Sequence, residues 1–126
     1  MSKFVVYSEN APEPIGPYSQ AIQAGNILFV SGQIAIQRTT GKIITTTVEE
    51  ETNQVMENLG AVLKAAGMNF SNVVKTSIFL KDMNNFPLVN DIYGRFFTQD
   101  PPARETVEVA RLPKDVNVEI SCIAVK

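Results

Sequence analysis

Polar and apolar positions alternate along the chain in stretches that read as strands, separated by two stretches of helical spacing. Phe4, Val5, Val6 and Tyr7 suggest an opening strand, and Ser19 to Ala24 pairs across Gly25-Asn26 with a buried strand from Asn26 to Gly32. Thr47 with Glu50 makes a capping box, after which Val48, Val55, Met56, Leu59, Val62, Leu63 and Ala66 recur at helical spacing until Gly67 stops the run. The β-branched stretch Val73 to Leu80 predicts a central strand. Asn84 and Asn85 before Pro87 start a second helix, whose buried face is Phe86, Val89, Ile92, Tyr93, Phe96 and Phe97. Asp100-Pro101-Pro102 ends it.

Two final runs of period two follow. Thr106 and Glu108 point one way and Val107 and Val109 the other; later Val116, Val118, Ile120, Cys122 and Ala124 form one apolar face. Leu112-Pro113-Lys114-Asp115 lies between them and predicts a turn. If the two runs form a hairpin, matching their apolar positions pairs Val107 with Val118 and Val109 with Val116. That register sets Thr106 opposite Glu119 and Arg104 opposite Ser121, so Arg104, Thr106 and Glu119 share a polar face. The pattern as a whole predicts one α+β domain over residues 1–126, with an antiparallel start and a βαβ-like later half around a mixed sheet.

Composition narrows the chemistry. The 126 residues are 44% hydrophobic, enough for one core, and no apolar run approaches a membrane-spanning length. A net charge of −2 offers no footprint for nucleic acid or an anionic membrane. No basic stretch followed by an apolar core opens the chain, so a cytoplasmic location is expected. Histidine is absent, which removes Ser-His and Cys-His nucleophile pairs and the commonest general base. The single cysteine, Cys122, sits on an apolar strand face and reads as core. Any reaction must therefore use carboxylates, arginine, hydroxyls, backbone amides and water.

Within that inventory Arg104 stands out. It follows a rigid Pro-Pro at the start of a strand, where a planar guanidinium can hold a small carboxylate by two parallel hydrogen bonds. On its own such an arginine is an ordinary surface charge; the residues sharing its face decide. Glu49, Glu50 and Glu51 fall in a helix's first turn, where negative charge offsets the helix dipole, and are not read as a metal site. The turn Ile15-Gly16-Pro17-Tyr18-Ser19-Gln20 places a tyrosine beside Gly-Pro, an arrangement open to a structural or a functional role.

These pieces resemble the RidA/YjgF family of reactive-intermediate (imine) deaminases. The resemblance runs along nearly the whole chain. It is carried by Glu9-Asn10-Ala11-Pro12, Ile15-Gly16-Pro17-Tyr18-Ser19-Gln20, Phe29-Val30-Ser31-Gly32-Gln33-Ile34 and Val73-Val74-Lys75-Thr76. Lys81-Asp82-Met83-Asn84-Asn85-Phe86, Val89-Asn90, Tyr93 and Pro102-Ala103-Arg104 continue it, with Val107 to Lys114 and Val118-Glu119-Ile120. It implies a chorismate-mutase-like α+β fold: about six strands in a mixed sheet, two helices on one face, and a homotrimer whose open sheet faces form a central barrel. Active sites would lie between subunits.

The implied activity is hydrolysis of 2-imino acids such as 2-iminobutanoate and 2-iminopropanoate to 2-keto acids and ammonium, which protects pyridoxal-phosphate enzymes. No cofactor or metal is implied, and neither nucleic acid nor membrane is an expected partner. Carried over by position, Arg104 clamps the substrate carboxylate, Glu119 handles the attacking water and Tyr18 donates to substrate or closes the site. Ser31, Gly32, Thr106 and Asn90 would line the substrate pocket. The chain departs from a common form of the pattern at Glu105-Thr106, where many relatives carry Ser-Cys; strand alternation should turn Glu105 away from Arg104's face. The alternatives are a metabolite-binding regulatory module without turnover, and an endoribonuclease or translation inhibitor.

Overall fold

The computed structural model describes residues 2–126. Its order is β1 (Lys3–Val6), β2 (Ala21–Ala24), β3 (Ile27–Gln33), α1 (Val48–Ala65), β4 (Val73–Leu80), α2 (Phe86–Gly94), β5 (Ala103–Glu108) and β6 (Val118–Val125). The six strands form one mixed sheet in the order β1-β2-β3-β6-β4-β5. All pairs are antiparallel except β4 with β5, the parallel pair joined through α2. Both helices cover the same face. Val55, Met56, Leu59, Val62 and Leu63 of α1, with Val89 and Tyr93 of α2, pack on Leu28, Val30, Ile78, Leu80, Val118, Ile120, Cys122 and Ala124. The other face is open, and it exposes Phe29, Val74 and Val107. Among the described residues no helix is long and apolar enough to cross a membrane.

The local signals act as expected. The Thr47 hydroxyl accepts the Glu50 backbone N–H at 3.0 Å and starts α1. After the helix, Gly67 at φ +73° supplies the left-handed residue of a Schellman cap, with Met68 N–H donating to the Leu63 carbonyl and Gly67 N–H to that of Lys64, both at 2.9 Å. Pro87 lies in the first turn of α2, where its missing N–H costs nothing. Cys122 is buried, and burial pushes its thiol up to about 12, as a core cysteine should be.

The expected hairpin of the last two strands does not form. β4 lies between β5 and β6, placing Thr106 opposite Ile78 on one side and Glu119 opposite Phe79 on the other. The reason is the intervening segment, which is no tight turn. Leu112 and Val116 bury themselves with Ile34 in a small core of their own, against Phe79 and Val109. The segment then straddles the end of β4: Val109 N–H donates to the Leu80 carbonyl at 2.9 Å, and Lys81 N–H to that of Asn117 at 3.0 Å. The apolar alternation was correct for each strand, but the partner was not. Consequently Arg104 and Thr106 face the helix layer while Glu119 faces the open side, and the single polar face expected for the three does not exist within one chain.

Candidate active site

A cavity of about 280 Å³ opens where β3 and β6 meet the segment that precedes β2. Its walls are largely apolar, from Pro12, Ile15, Ile34, Ile36 and Pro113, with Tyr18, Ser31, Gly32 and Glu119 among its polar or backbone groups. A β-bulge builds the floor. Val30 pairs with Cys122 and Gln33 with Ile120, so Ser31 and Gly32 occupy a stretch with one more residue than β6 offers opposite. The bulge takes them out of the ladder. Ser31 N–H is satisfied instead by the Gln20 carbonyl at 2.9 Å, and its hydroxyl donates to the Ser19 carbonyl at 2.6 Å.

Gly32 faces the Glu119 side chain so closely that a Cβ there would stand 2.8 Å from the carboxyl carbon and 3.1 Å from Cγ. Only glycine leaves that space free. Glu119 is partly buried, and desolvation raises its pKa above the ordinary carboxylate value. A carboxylate so placed can exchange a proton with a bound molecule closer to neutral pH than a solvated one. Tyr18 stands at the mouth, 48% exposed, its hydroxyl accepting the Ile15 N–H at 3.3 Å. Neither lysine nor arginine is among the residues lining the cavity.

The segment carrying Tyr18 is tied down by a residue the sequence reading passed over. Gln20 is 2% exposed; its Nε2 donates to the carbonyls of Ser8, Ala11 and Pro12 at 3.1, 3.3 and 2.9 Å, and its Oε1 accepts Ser8 N–H at 2.6 Å. Its place at the end of the Gly-Pro-Tyr-Ser motif was the only available signal. Glu13, another cavity residue not foreseen, accepts from Arg38 at 3.0 Å and from the Tyr7 hydroxyl.

Arg104, Asn90 and Thr106 form a second group on the helix side. Arg104 Nη1 donates to Asn90 Oδ1 at 2.7 Å, and the guanidinium lies 5.3 Å from the Phe86 ring centre and 5.1 Å from that of Tyr93. Tyr93 is itself fixed by a 2.7 Å hydrogen bond with Thr76. Burial raises the Tyr93 pKa, so its ring stays neutral under the cation. Among the described residues no carboxylate comes within ion-pair distance of Arg104. Two residues along, the Thr106 hydroxyl is buried without a hydrogen-bond partner. Glu105 does turn to the opposite face, pairing with Lys75 at 3.0 Å and accepting from Ser77, and these contacts lower its pKa.

Thus the structure brings together Tyr18, Ser31, Gly32 and Glu119, and separately Arg104, Asn90 and Thr106. One half holds a carboxylate suited to proton transfer; the other holds a cation suited to an anionic ligand.

Comparison with known proteins finds relatives along nearly the whole chain. The family model described as Endoribonuclease L-PSP matches residues 8–126. A RutC family protein of Pyrococcus horikoshii is 52% identical over 124 residues, 98% of each chain. Reactive Intermediate Deaminase A, chloroplastic, of Arabidopsis thaliana is 48% identical over 124 residues, covering 98% of this chain and 66% of that protein. Among solved structures, E. coli TdcF with bound serine superposes with a TM-score of 0.94 at 38% identity, covering 98% of both chains.

Proposed function

Because the chain belongs to the Endoribonuclease L-PSP family, the group that also carries the names YjgF, RidA and RutC, we propose that it hydrolyses 2-imino acids to 2-keto acids and ammonium. 2-Iminobutanoate and 2-iminopropanoate are the substrates proposed, and the working form is a homotrimer with a chorismate-mutase-like subunit and sites between subunits. The observation that carries this reading is the separation of the two half-sites. A cavity with a desolvated carboxylate and no cation, and an arginine on the other side of the sheet with no carboxylate, are what one chain would present to a site completed by a second copy.

In the proposed site, Arg104 of one subunit holds the substrate carboxylate through its guanidinium fork, aimed by Asn90, with Thr106 beside it. The cavity of the next subunit receives the imine carbon. A protonated imine is already electrophilic, so no covalent nucleophile is needed. Water attacks the imine carbon and passes a proton to Glu119, giving a tetrahedral carbinolamine. Glu119 returns that proton to the nitrogen, the C–N bond breaks, and the hydroxyl proton leaves with ammonia as ammonium while the C=O forms. Tyr18 closes the mouth, and Ser31 and Gly32 shape the wall beside the carboxylate. The name of the Arabidopsis relative and the serine bound to E. coli TdcF both support a small amino-acid-like ligand.

The test is the decay of 2-iminobutanoate, generated in situ by a threonine dehydratase, with wild type and Arg104→Ala. Loss of the clamp should slow hydrolysis roughly ten- to a hundredfold. An unchanged rate in the mutant removes Arg104 from the site, and no acceleration by folded wild type removes the activity, leaving a metabolite-binding module. The family description favours ribonucleolysis as a second reading, yet a net charge of −2 and the absence of histidine give it little to work with. Cleavage of RNA by the wild-type preparation would revive it.

A further inference from the structure

The proposed mechanism leaves one buried charged group unused. Glu51, in the first turn of α1, is wholly buried, while Glu49 and Glu50 beside it are exposed. All three were expected to serve the helix dipole, a task that needs no burial. Burying a carboxylate is costly unless it is fully hydrogen-bonded, and Glu51 has no ion-pair partner among the described residues. Its three donors come from two adjacent residues. Oε2 accepts Asn117 N–H at 2.8 Å and Val118 N–H at 3.2 Å, and Oε1 accepts Asn117 Nδ2 at 2.8 Å.

Those residues stand between a strained turn and the candidate catalytic carboxylate. Lys114 and Asp115 both adopt left-handed backbone conformations, at φ 55° and 57°, which non-glycine residues avoid. Pro113, one residue earlier, lines the cavity; Glu119, one residue after Val118, reaches into it. If the start of β6 came free of α1, Glu119 would leave the cavity wall for solvent. We propose that Glu51 is a positioning residue for this site, its carboxylate locking Asn117 and Val118 so that the strained turn is held and Glu119 is aimed into the cavity.

The proposal rests on the hydrolase reading for its kinetic arm, but position can be read without turnover. In Glu51→Gln the amide oxygen can take both backbone N–H groups, while the new NH₂ meets the Asn117 side chain, which turns over to present Oδ1. Hydrogen bonding survives and the charge does not. Glu51→Ala leaves all three donors unpaired. Glu51→Asp keeps the charge but is one methylene too short to span them.

The experiment is an NMR titration of the labelled Glu119 carboxyl in wild type and the three variants, with imine hydrolysis and thermal melts on the same samples. Glu13 is the other carboxylate lining the cavity and Tyr18 its phenol, so the resonance is assigned against Glu119→Gln. Wild type and Glu51→Gln should titrate above the ordinary carboxylate value and turn over within about threefold of each other. Glu51→Ala, or Glu51→Asp if the alanine variant is unfolded, should titrate as a solvated carboxylate. Its kcat should fall on the order of ten- to a hundredfold while KM, set by Arg104, stays nearly constant. A folded alanine or aspartate variant with an unchanged Glu119 titration overturns the proposal. So does a glutamine variant as impaired as the alanine one. Inactive wild type would sink the hydrolase reading alone, since the titration still reports where Glu119 sits.

Discussion

At the scale of single residues, Gly32 and Glu119 divide one small volume. Gly32 needs no left-handed backbone, so its role is space alone. The atoms that a methyl group would strike belong to the far end of a flexible side chain, which can swing away at little cost to the fold. Gly32→Ala should therefore melt within a few degrees of wild type yet lose imine hydrolysis about ten- to a hundredfold, as the carboxylate is pushed off its position. Thermal melts and initial rates on one preparation check both halves. Glu119 itself is held at a cost. Burial raises its pKa in the folded state, so folding favours the protonated form. The stability it lends is fully present below the unfolded carboxylate value of about 4.3 and is lost as pH rises through the folded value. Glu119→Gln should accordingly be more stable than wild type at neutral pH, with the gain shrinking to nothing near pH 4. Denaturant unfolding across that range measures it. Activity runs the other way: wild-type turnover should rise across the same window as the base ionises, and the glutamine variant should show no such limb.

At the scale of elements, the structure turns on connections more than on strands. The segment before β2 reaches the cavity because Gln20 gathers three carbonyls and one N–H of residues 8–12 around a single buried amide. Gln20→Leu fills the same volume but strands those groups, at about 1–3 kcal/mol for each that water cannot reach. A net loss of roughly 2–3 kcal/mol in urea unfolding is expected, with Tyr18 released from the cavity mouth. Local patterning made Val73–Leu80, both helices and the β2–β3 turn legible, since their signals lie within a few neighbouring residues. It failed for β5 and β6 because strand partners are chosen at long range. Here the choice is made by Leu112 and Val116 burying beneath Ile34 and Phe79, which period-two alternation does not register. The bulge at Ser31-Gly32 was hidden for the same reason: it exists only against β6. Glu51 read as one of three equivalent acids because burial, not sequence position, sets it apart. Arg104, Thr106 and Glu119 were singled out by strand alternation and Tyr18 by its Gly-Pro turn, while Ser31, Gly32, Asn90 and the roles of all seven came through the family resemblance. Their division between two faces was not foreseen, and it follows from the strand order.

At the scale of the whole molecule, that division is the main consequence of the fold. The uncovered sheet carries the exposed apolar side chains Phe29 at 46% exposure, Val74 at 48% and Val107 at 40%, on three of its strands. On the same face Lys75 and Glu105 form an ion pair and Ser77 donates to Glu105, so those two charges offset each other. The proposed trimer covers that face and joins each Arg104 to a neighbour's cavity, which yields a test independent of any interface mutation. Arg104→Ala and Glu119→Gln should each be slowed at least about tenfold as pure proteins. Unfolded together in equal amounts and refolded, they form mixed assemblies in which some sites receive Arg104 from one subunit and Glu119 from the next. A given site has about a one-half chance of drawing an intact Arg104 and, separately, about a one-half chance of drawing an intact Glu119. About a quarter of wild-type activity per site should therefore return. A site confined to one chain would recover nothing, because every subunit in the mixture still carries one of the two lesions. Recovery near a quarter thus shows that the Arg104 and the Glu119 of a working site come from two different subunits.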